Sequence, residues 1–287
     1  MTETTNDLDT LSLRLNLPVA EIILRADQHT LEVQTWLASR SPDGARWIGR
    51  GVRASSTGIQ VPLLNLALGS DFHPDVDDAA IHDEIEAVKA FFAGRQVPWY
   101  WWLGATTQPS NIADYLQQHG MAFDRPSLPA MVAQLPALTL SPENSSITVW
   151  QASALGDLIA ASMIRRIAFR FPEGAALNYF NDMAESWLTG DVARLYLARW
   201  QDDPPAAIGA LIMGDGSPGV YVMATLPKWR RHGLGKAILA RILADASAMP
   251  DRYSMIVLTA SRFGFPLYQQ MGFVPVFDYA IYHLIEQ

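Results

Sequence analysis

A loop with the chemistry to hold an anion lies in PKWRRHGLGKAIL at 227–239. Arg230, Gly233 and Gly235 form the pattern R-x-x-G-x-G where a predicted helix begins. Glycines at a helix N-terminus let backbone N–H groups approach a ligand without an intervening Cβ, and the helix dipole favours an anion there. Arg230, Arg231 and Lys236 add cationic side chains. The spacing therefore predicts a pyrophosphate site, although a basic helix start with two incidental glycines would read the same.

Two other phosphate-binding patterns fit this segment less well. A P-loop requires a glycine at position 230, where the chain has Arg230, and a Ser or Thr at position 237, where it has Ala237. The dinucleotide fingerprint also begins with a glycine at the tight turn, and Arg230 again stands at that position. A nucleotide-dependent phosphotransferase therefore remains only a third hypothesis.

The chain contains an internal repeat, YLQQHGM at 115–121 and LYQQMGF at 267–273. Its surroundings repeat as well, because each copy lies between strand-like segments and follows an amphipathic helical pattern. Both halves therefore predict the order strand, helix, strand, helix, strand. The strand-like segments before and after the two copies are 99–107 and 130–135 in the first half, and 254–262 and 279–285 in the second.

These patterns predict an α/β protein of two related domains, 1–140 and 146–287, joined by a linker at 138–146. Each domain is expected to be a mixed, mostly antiparallel sheet flanked by helices. The second half adds upstream elements: a strand at 147–152, helices at 154–170 and 175–188, and strands at 193–200, 206–213 and 220–226. The first half shows helices near 8–40 and strand-like segments at 45–52 and 59–68, with no evident third strand.

Residues 146–287 resemble the GCN5-related N-acetyltransferase (GNAT) superfamily. The resemblance rests on R-x-x-G-x-G from Arg230 to Gly235, on Y-x-x-x-G-F from Tyr268 to Phe273, and on the strand order. It implies an acyl-CoA N-acyltransferase that moves an acetyl (acyl) group from acetyl-CoA to an amine by direct attack on the thioester, without a metal. The whole chain is similar to tandem members of this superfamily that have a degenerate N-terminal half.

The resemblance also implies roles for individual residues. The strand end at Met223, Ala224 and Thr225 would pair with the pantetheine arm, and Tyr268 would protonate the leaving sulfur as general acid. Ser261 stands where many members have an asparagine that bonds the cofactor. The implied cofactor-binding set is Met223, Ala224, Thr225, Arg230, Arg231, His232, Gly233, Leu234, Gly235, Lys236, Ser261 and Tyr268.

The general base is not evident, because the strand at 220–226 carries no carboxylate. Glu173, Tyr221 and a chain of waters are the candidates for it. The same missing carboxylate, together with Ser261, supports an alternative: a noncatalytic CoA-binding or scaffold protein.

The first half has lost the chemistry of the repeat. At an offset of 153, Arg230, Gly233 and Gly235 align with Asp77, Ala80 and His82, and the cations Arg231 and Lys236 align with Asp78 and Asp83. Carboxylates repel a diphosphate, and Leu116 of the first copy aligns with Tyr268 of the second. Residues 1–140 are therefore predicted to bind no cofactor.

Composition limits the partners. A net charge of -8 disfavours nucleic acid and anionic membranes, and the absence of cysteine excludes disulfides and thiolate metal sites. The six histidines show no metal-binding spacing. The polar N-terminus carries no secretory signal pattern, so we expect a cytoplasmic monomer or weak dimer that acts on a small-molecule or peptide amine. The tryptophans of WYWWLG at 99–104 could line an acceptor pocket, but strand alternation places them on both faces and favours packing in a core or between domains.

Overall fold

The computed structural model describes residues 2–136, 144–172, 174, 178–249 and 252–285. Most of the linker predicted at 138–146 lies outside the described residues. The chain divides into two compact units, and each combines separate stretches of sequence. We call Met1–His29 with Met131–Val276 the C-unit, and Thr30–Ala130 with Phe277–Gln287 the N-unit.

Helices and strands are mixed along the described chain, and short 3₁₀ helices lie at Pro62–Leu64 and Pro227–Trp229. The helices are α1 Thr2–Leu15, α2 Val19–Arg40, α3 Asp78–Arg95, α4 Ile112–Gln118, α5 Leu155–Phe169, α6 Ala184–Leu188, α7 Leu234–Ser247 and α8 Phe265–Gln270. The strands are β1 Ala45–Ile48, β2 Val52–Ser56, β3 Asn65–Gly69, β4 Tyr100–Leu103, β5 Met121–Gln134, β6 Ile147–Gln151, β7 Ala193–Trp200, β8 Ala207–Met213, β9 Pro218–Thr225, β10 Met255–Thr259 and β11 Val274–Leu284.

The structure confirms the repeated order of strand, helix, strand, helix, strand. It runs β3, α3, β4, α4, β5 in the first half and β9, α7, β10, α8, β11 in the second. Both copies of the repeated phrase form a short helix that ends at a glycine with positive φ, 78° at Gly120 and 87° at Gly272. Only glycine adopts this left-handed conformation without steric cost. The glycine that both copies of the phrase share is therefore required by the fold.

Two expectations about the elements are wrong. The helix predicted at 175–188 is only Ala184–Leu188 in the described structure, because residues 178–183 form turns. The first half does have a third strand, since the segment at 45–52 contains β1 and the start of β2, and 59–68 contains a 3₁₀ turn followed by β3. Gly49 and Gly51 interrupt the first of these segments at the hairpin turn.

The C-unit sheet has the strand order β6, β7, β8, β9, β10, followed by the end of β5. The first four strands are antiparallel neighbours, whereas β9 and β10 run parallel. Apolar residues of α7 recur every third or fourth position and pack on this sheet: Leu234, Ile238, Leu239, Ile242, Leu243 and Ala246.

The N-unit sheet repeats this plan, with the strand order β1, β2, β3, β4, β11 and the first part of β5. The pair β3 and β4 is parallel and joined at only two positions, Leu66 with Tyr100 and Ala67 with Trp101. Its core confirms the expected packing of the tryptophans. Trp99 and Trp101 lie in the main cluster with Phe92, whereas Trp102 on the opposite face contacts Tyr279.

The last strand of each repeat begins in one unit and ends in the other. Strand β11, which ends the second repeat, pairs with β4 in the N-unit through Ala280 with Leu103, Ile281 with Trp102 and Tyr282 with Trp101. The end of β5 belongs to the C-unit, where Leu135 N–H donates to the carbonyl of Ser254. No described helix is long and apolar enough to span a bilayer.

The exchanged strand makes a testable prediction about which core depends on Tyr282. This side chain is 6% exposed and packs in the N-unit core, although it belongs by sequence to the second half. We expect Tyr282→Ala to cost about 3 kcal/mol through the cavity it leaves. Hydrogen exchange measured by mass spectrometry should accelerate first in peptides that cover β4. Phe263→Ala, at a side chain that is 80% exposed, is the control, and faster exchange confined to β10 would refute the assignment.

Candidate active site

The loop between β9 and α7 presents a row of unpaired backbone donors. Arg231 and Gly233 have positive φ values of 63° and 91°, so the chain turns twice before α7 begins. In the described structure, the backbone N–H groups from Arg231 to Lys236 donate to no acceptor. Alternating backbone handedness and a helix N-terminus without a capping side chain both create an anion-binding concavity.

The cationic side chains of this loop divide into two groups. Arg230 turns back onto the protein, where Nε donates to the carbonyl of Thr225 at 3.3 Å and Nη2 to that of Ala168 at 3.5 Å. Arg231 and Lys236 are exposed and form no ion pair within the described residues. Arg230 therefore anchors the loop, whereas Arg231 and Lys236 remain available to a bound anion.

His232 lies at the edge of the loop and contacts two aromatic rings. Its Nδ1 is 2.9 Å from the carbonyl oxygen of Arg230, which makes Nδ1 the donor in this contact. The ring centroid is 5.7 Å from those of Trp200 and Trp229. These contacts hold the imidazole against the loop backbone rather than in front of the free N–H groups.

Strand β9 separates from β10 after two residue pairs, Gly219 with Val257 and Val220 with Leu258. Immediately afterwards β9 contains a bulge, where its register with β8 shifts and Val222 has a φ of 55°. Positive φ is unfavourable for a β-branched residue, so the surrounding sheet must stabilise this conformation. The separated end, Met223 to Thr225, consequently has backbone groups on the β10 side that no residue of β10 pairs with.

A glycine opposite the bulge makes room for it. A Cβ on Gly209 of β8 would lie 2.4 Å from the sulfur of Met223 and 2.6 Å from Cγ2 of Ile238. Only a residue without a side chain lets Met223 pack between β8 and α7 at this position. The sequence carries no periodic signal for this bulge, because the strand pattern around VYVMATL is continuous.

The strand end, the loop and α8 converge at Gly235. A Cβ on this residue would lie 3.6 Å from Oγ1 of Thr225 and 3.8 Å from Cδ2 of Leu267. Ser261 lies at the far end of β10, exposed, and its hydroxyl accepts a 3.3 Å hydrogen bond from the N–H of Gly264 ahead of α8. The structure therefore brings together the strand end, the glycine loop and the helix that the sequence singled out.

Tyr268 is 7% exposed and lies on α8 against Gly264 and Phe273. Gly264 admits the ring, because a Cβ there would be 2.7 Å from Cε2 of Tyr268. Burial raises the pKa of Tyr268 well above its ordinary value, since the phenolate would lose its hydration. The hydroxyl therefore keeps its proton at neutral pH, which is the protonation state that a general acid requires.

The equivalent positions of the N-unit are occupied by its own residues. Ser70, Asp71 and Phe72 align with Met223, Ala224 and Thr225 at the offset of 153. Gln108 pairs with this segment: its N–H donates to the carbonyl of Ser70 at 2.7 Å, and its carbonyl accepts from the N–H of Phe72 at 3.1 Å. The backbone edge that is unpaired in β9 is therefore closed here by a loop of the N-unit itself.

The start of α3 also has a backbone donor that a residue of the N-unit satisfies, unlike the donors at the start of α7. Asp77, the counterpart of Arg230, accepts a 2.8 Å hydrogen bond from the N–H of Ala80 and caps the helix. The hydroxyl of Tyr115 donates to Asp78 at 2.6 Å and ties α4 to α3. Leu116, the counterpart of Tyr268, is fully buried. A carboxylate of the chain thus satisfies donors that an external anion would otherwise meet.

A buried histidine, His29, was missed by the sequence analysis. It lies on α2 and is 1% exposed, and its ring stacks on Tyr221 of β9 with centroids 5.6 Å apart. Nε2 donates to the carbonyl of Ile212 at 3.3 Å, so Nδ1 of the neutral ring accepts the Tyr221 hydroxyl at 2.9 Å. Spacing contained a signal, because Ile22, Ala26, His29 and Val33 recur at i, i+4, i+7 and i+11 on one face.

This contact bears on the candidates for general base. The hydroxyl of Tyr221 is hydrogen-bonded to Nδ1 of His29. Burial lowers the pKa of His29 to about 4, so this ring is neutral at physiological pH. Glu173 lies outside the described residues. No group of three or more His, Asp or Glu in the described part of the chain is arranged to hold a metal ion.

Comparisons with known proteins bear on the fold of the chain. Residues 175–281 match a family model described as "Acetyltransferase (GNAT) domain". A comparison with curated proteins found no match.

Solved structures match over most of the chain at low sequence identity. One is a GCN5-related N-acetyltransferase from Kribbella flavida, with a TM-score of 0.67, 19% identity, and coverage of 91% of this chain and 96% of that one. A conserved protein of unknown function from Staphylococcus epidermidis has a TM-score of 0.58 and 15% identity, over 84% and 93% of the two chains. A tandem GNAT protein from the clavulanic acid biosynthesis pathway has a TM-score of 0.57 and 12% identity, over 84% and 83%. At these identities the likeness shows the fold.

The buried His29 predicts how the free energy of unfolding depends on pH. Its pKa is about 4 in the folded protein and near 6.5 when exposed, so the unfolded chain binds more protons between these values. Acidification from pH 6.5 to 4 should therefore remove about 3 kcal/mol of stability through this group.

Urea unfolding of the wild type and of His29→Gln at several pH values measures this term. The variant should show a shallower loss across that window, whereas His73→Gln, at an exposed histidine, should follow the wild type. Parallel profiles for the wild type and His29→Gln would show that His29 is not held neutral.

Proposed function

We propose that this protein, whose residues 175–281 match the GNAT domain model, is an acyl-CoA-dependent N-acyltransferase that moves an acetyl group from acetyl-CoA to an amine. The observation that carries the proposal is the convergence at Gly235 of unpaired loop donors, a separated strand end and the helix of Tyr268. Acyl transfer uses these parts together: an anion-binding loop, an extended backbone edge and a buried proton donor.

The residues present fit the donor acetyl-CoA. The N–H groups from Arg231 to Lys236 would hold its pyrophosphate, with the side chains of Arg231 and Lys236 beside them. The pantetheine arm carries amides, which pair with an open strand edge as another strand would. Met223, Ala224 and Thr225 would supply that edge. Ser261 and His232 would lie at the margins of the bound molecule.

The bulge at Val222 suits the chemical step. When bound, acetyl-CoA supplies a thioester whose carbonyl oxygen gains negative charge as the amine attacks. A backbone N–H at the bulged strand end would stabilise that charge in a fixed position, without reorganisation during the reaction. The strand geometry is held by Gly209 and Ile238, so this donor is rigid.

Tyr268 would act as the general acid for the departing sulfur. Its raised pKa keeps the hydroxyl protonated, and the proton would move as charge develops on the thiolate. The amine must attack in its neutral form. Tyr221, whose own proton is directed to Nδ1 of His29, remains a candidate acceptor for the amine proton.

We propose that the N-unit binds no cofactor, so that residues within 146–287 carry the chemistry and 1–140 form the degenerate domain. Gln108 occupies the backbone edge and Asp77 caps the helix at the positions that correspond to the binding elements of the C-unit. One acetyl-CoA would therefore bind per chain. The acceptor would be a small-molecule or peptide amine.

The Tyr268→Phe variant tests the catalytic role. It keeps the ring and removes the hydroxyl, so we expect kcat to fall by about 10² or more. The Kd for acetyl-CoA, measured by calorimetry, should change less than about threefold, which corresponds to less than 1 kcal/mol.

The matched control is Tyr115→Phe, which removes the hydroxyl at the repeated phrase of the N-unit and should leave kcat unchanged. Equal trace turnover in the wild type and Tyr268→Phe, with acetyl-CoA still bound, would favour the noncatalytic CoA-binding or scaffold protein instead.

The charge of the loop sets the affinity for the donor. Replacing Arg231 and Lys236 together by Asp imposes the residue types of the N-unit loop and removes charge-assisted bonds of about 1.5 to 3 kcal/mol each. We expect the Kd for acetyl-CoA to rise by at least about tenfold.

Calorimetry should also give one site per chain in the wild type. Asp83→Lys, a charge reversal at the counterpart of Lys236, is the control and should alter neither the Kd nor the stoichiometry. Two sites per chain would contradict a cofactor-free N-unit.

A further inference from the structure

Arg165 is a buried cation that has no counterion among the residues the structure describes. It lies on α5, is 7% exposed, and its atoms Nε and Nη1 are sealed from solvent without a hydrogen-bond partner in the described structure. No salt bridge within the described residues includes it. Arginine stays protonated in proteins, so this side chain carries a full positive charge into the interior.

Aromatic rings surround the guanidinium but do not compensate for the lost water. Its central carbon lies 3.8 Å from the ring centroid of Tyr179, 5.5 Å from that of Phe171 and 5.9 Å from that of Phe180. A desolvated cation–π contact contributes about 2 kcal/mol, whereas burying an ion costs several kcal/mol. The balance favours an anion that is bound when the protein functions.

Two other polar groups in the same stretch of chain are unsatisfied. The Tyr179 hydroxyl and Oδ1 of Asn181 are both sealed from solvent, and neither forms a hydrogen bond of ordinary geometry in the described structure, although the Tyr179 hydroxyl interacts electrostatically with Arg165. Buried polar groups are normally hydrogen-bonded, and three groups without an ordinary hydrogen bond in and beside one aromatic cluster favour a polar ligand there. Burial raises the pKa of Tyr179, so its hydroxyl remains a donor.

The position of Arg165 in the C-unit connects it with the proposed reaction. Arg230 donates to the carbonyls of both Ala168 on α5 and Thr225 at the end of β9, which places the C-terminal turn of α5 beside the separated strand end. Arg165 lies three residues before Ala168, or about one helical turn. Helix α5 also packs along β9.

We propose that Arg165 binds a carboxylate of the acceptor, which makes the acceptor an amino acid or a related amine that carries a carboxylate. This rests on the proposed acyltransferase function. One guanidinium among neutral groups matches the single negative charge of a carboxylate, whereas a phosphate monoester would bring nearly two. The acceptor amine would then be oriented from a charged anchor about one helical turn before Ala168.

The test compares acceptors that differ only in the carboxylate. A panel of α-, β- and γ-amino acids is assayed with acetyl-CoA beside the corresponding amides. The amino group of an amino-acid amide is less basic than that of the acid, so more of it is neutral and nucleophilic at a given pH. This difference favours the amide and therefore works against the expected preference for the acid. We expect kcat/KM to be about 10- to 100-fold higher for the preferred acid than for its amide, since a charge-assisted hydrogen bond contributes about that much.

The variant Arg165→Gln should reduce this preference to about threefold or less, mainly through KM for the acid, with the Kd for acetyl-CoA unchanged. Arg165→Lys should retain part of it, because the charge remains. Arg241→Gln, which removes a partly exposed arginine from α7, is the control for charge and should keep the wild-type preference.

A purely structural role is separated by Arg165→Met. Removing an unpaired buried charge should leave the melting temperature of the free protein unchanged or higher, while the preference for acids is lost. Acids and amides used equally by the wild type, or a preference unchanged in Arg165→Gln, would overturn the carboxylate site while leaving acyl transfer intact. Acetyl-CoA binding without transfer to any amine would instead refute the proposed function.

Discussion

The separation of β9 from β10 is the constraint on which the rest of the C-unit depends. Two parallel strands that paired along their full length would satisfy each other's backbone and leave no edge for a ligand. The bulge at Val222 ends the pairing after two positions, and the strained backbone is held by Met223 packing over Gly209. The glycine loop then continues directly from this strand end, and Gly235 allows α7, the strand and α8 to meet without a side chain between them.

Sequence patterns identified the elements whose signals are local. Apolar spacing located α3 and α7, and the repeated phrase located α4 and α8, because periodicity and a left-handed glycine are encoded within a few residues. The prediction of a helix at 175–188 was wrong because residues 178–183 form turns that pack the rings of Tyr179 and Phe180 against each other. The N–H of Phe180 donates to the hydroxyl of Ser162 on α5. Tertiary contacts decide such a segment, and propensity alone does not contain them.

The site shows the same division between local and long-range information. The letters of the loop were sufficient to predict an anion-binding helix start, since the donors and charges lie within seven residues. The partners His29 and Tyr221 are 192 residues apart in sequence, and the unpaired state of Arg165 is a property of its surroundings. Neither the exchange of final strands nor the closure of the N-unit edge by Gln108 leaves a periodic trace, because both are choices of pairing partner.

The two repeats retain one backbone plan and differ in what meets their open donors. In the N-unit the donors meet Gln108 and Asp77, which are covalently present at every moment and therefore bind without loss of translational freedom. Such internal partners stabilise the fold and occupy the donors that another molecule would otherwise bind.

The exchange of the final strands has an evolutionary consequence. A deletion that removed the first half would take the end of β5 and the helix of His29 from the C-unit, and a deletion of the second half would take β11 from the N-unit. Either loss would expose an unpaired sheet edge and part of a hydrophobic core. Selection that acts on the C-unit therefore also retains the first half of the chain, which supplies part of that unit.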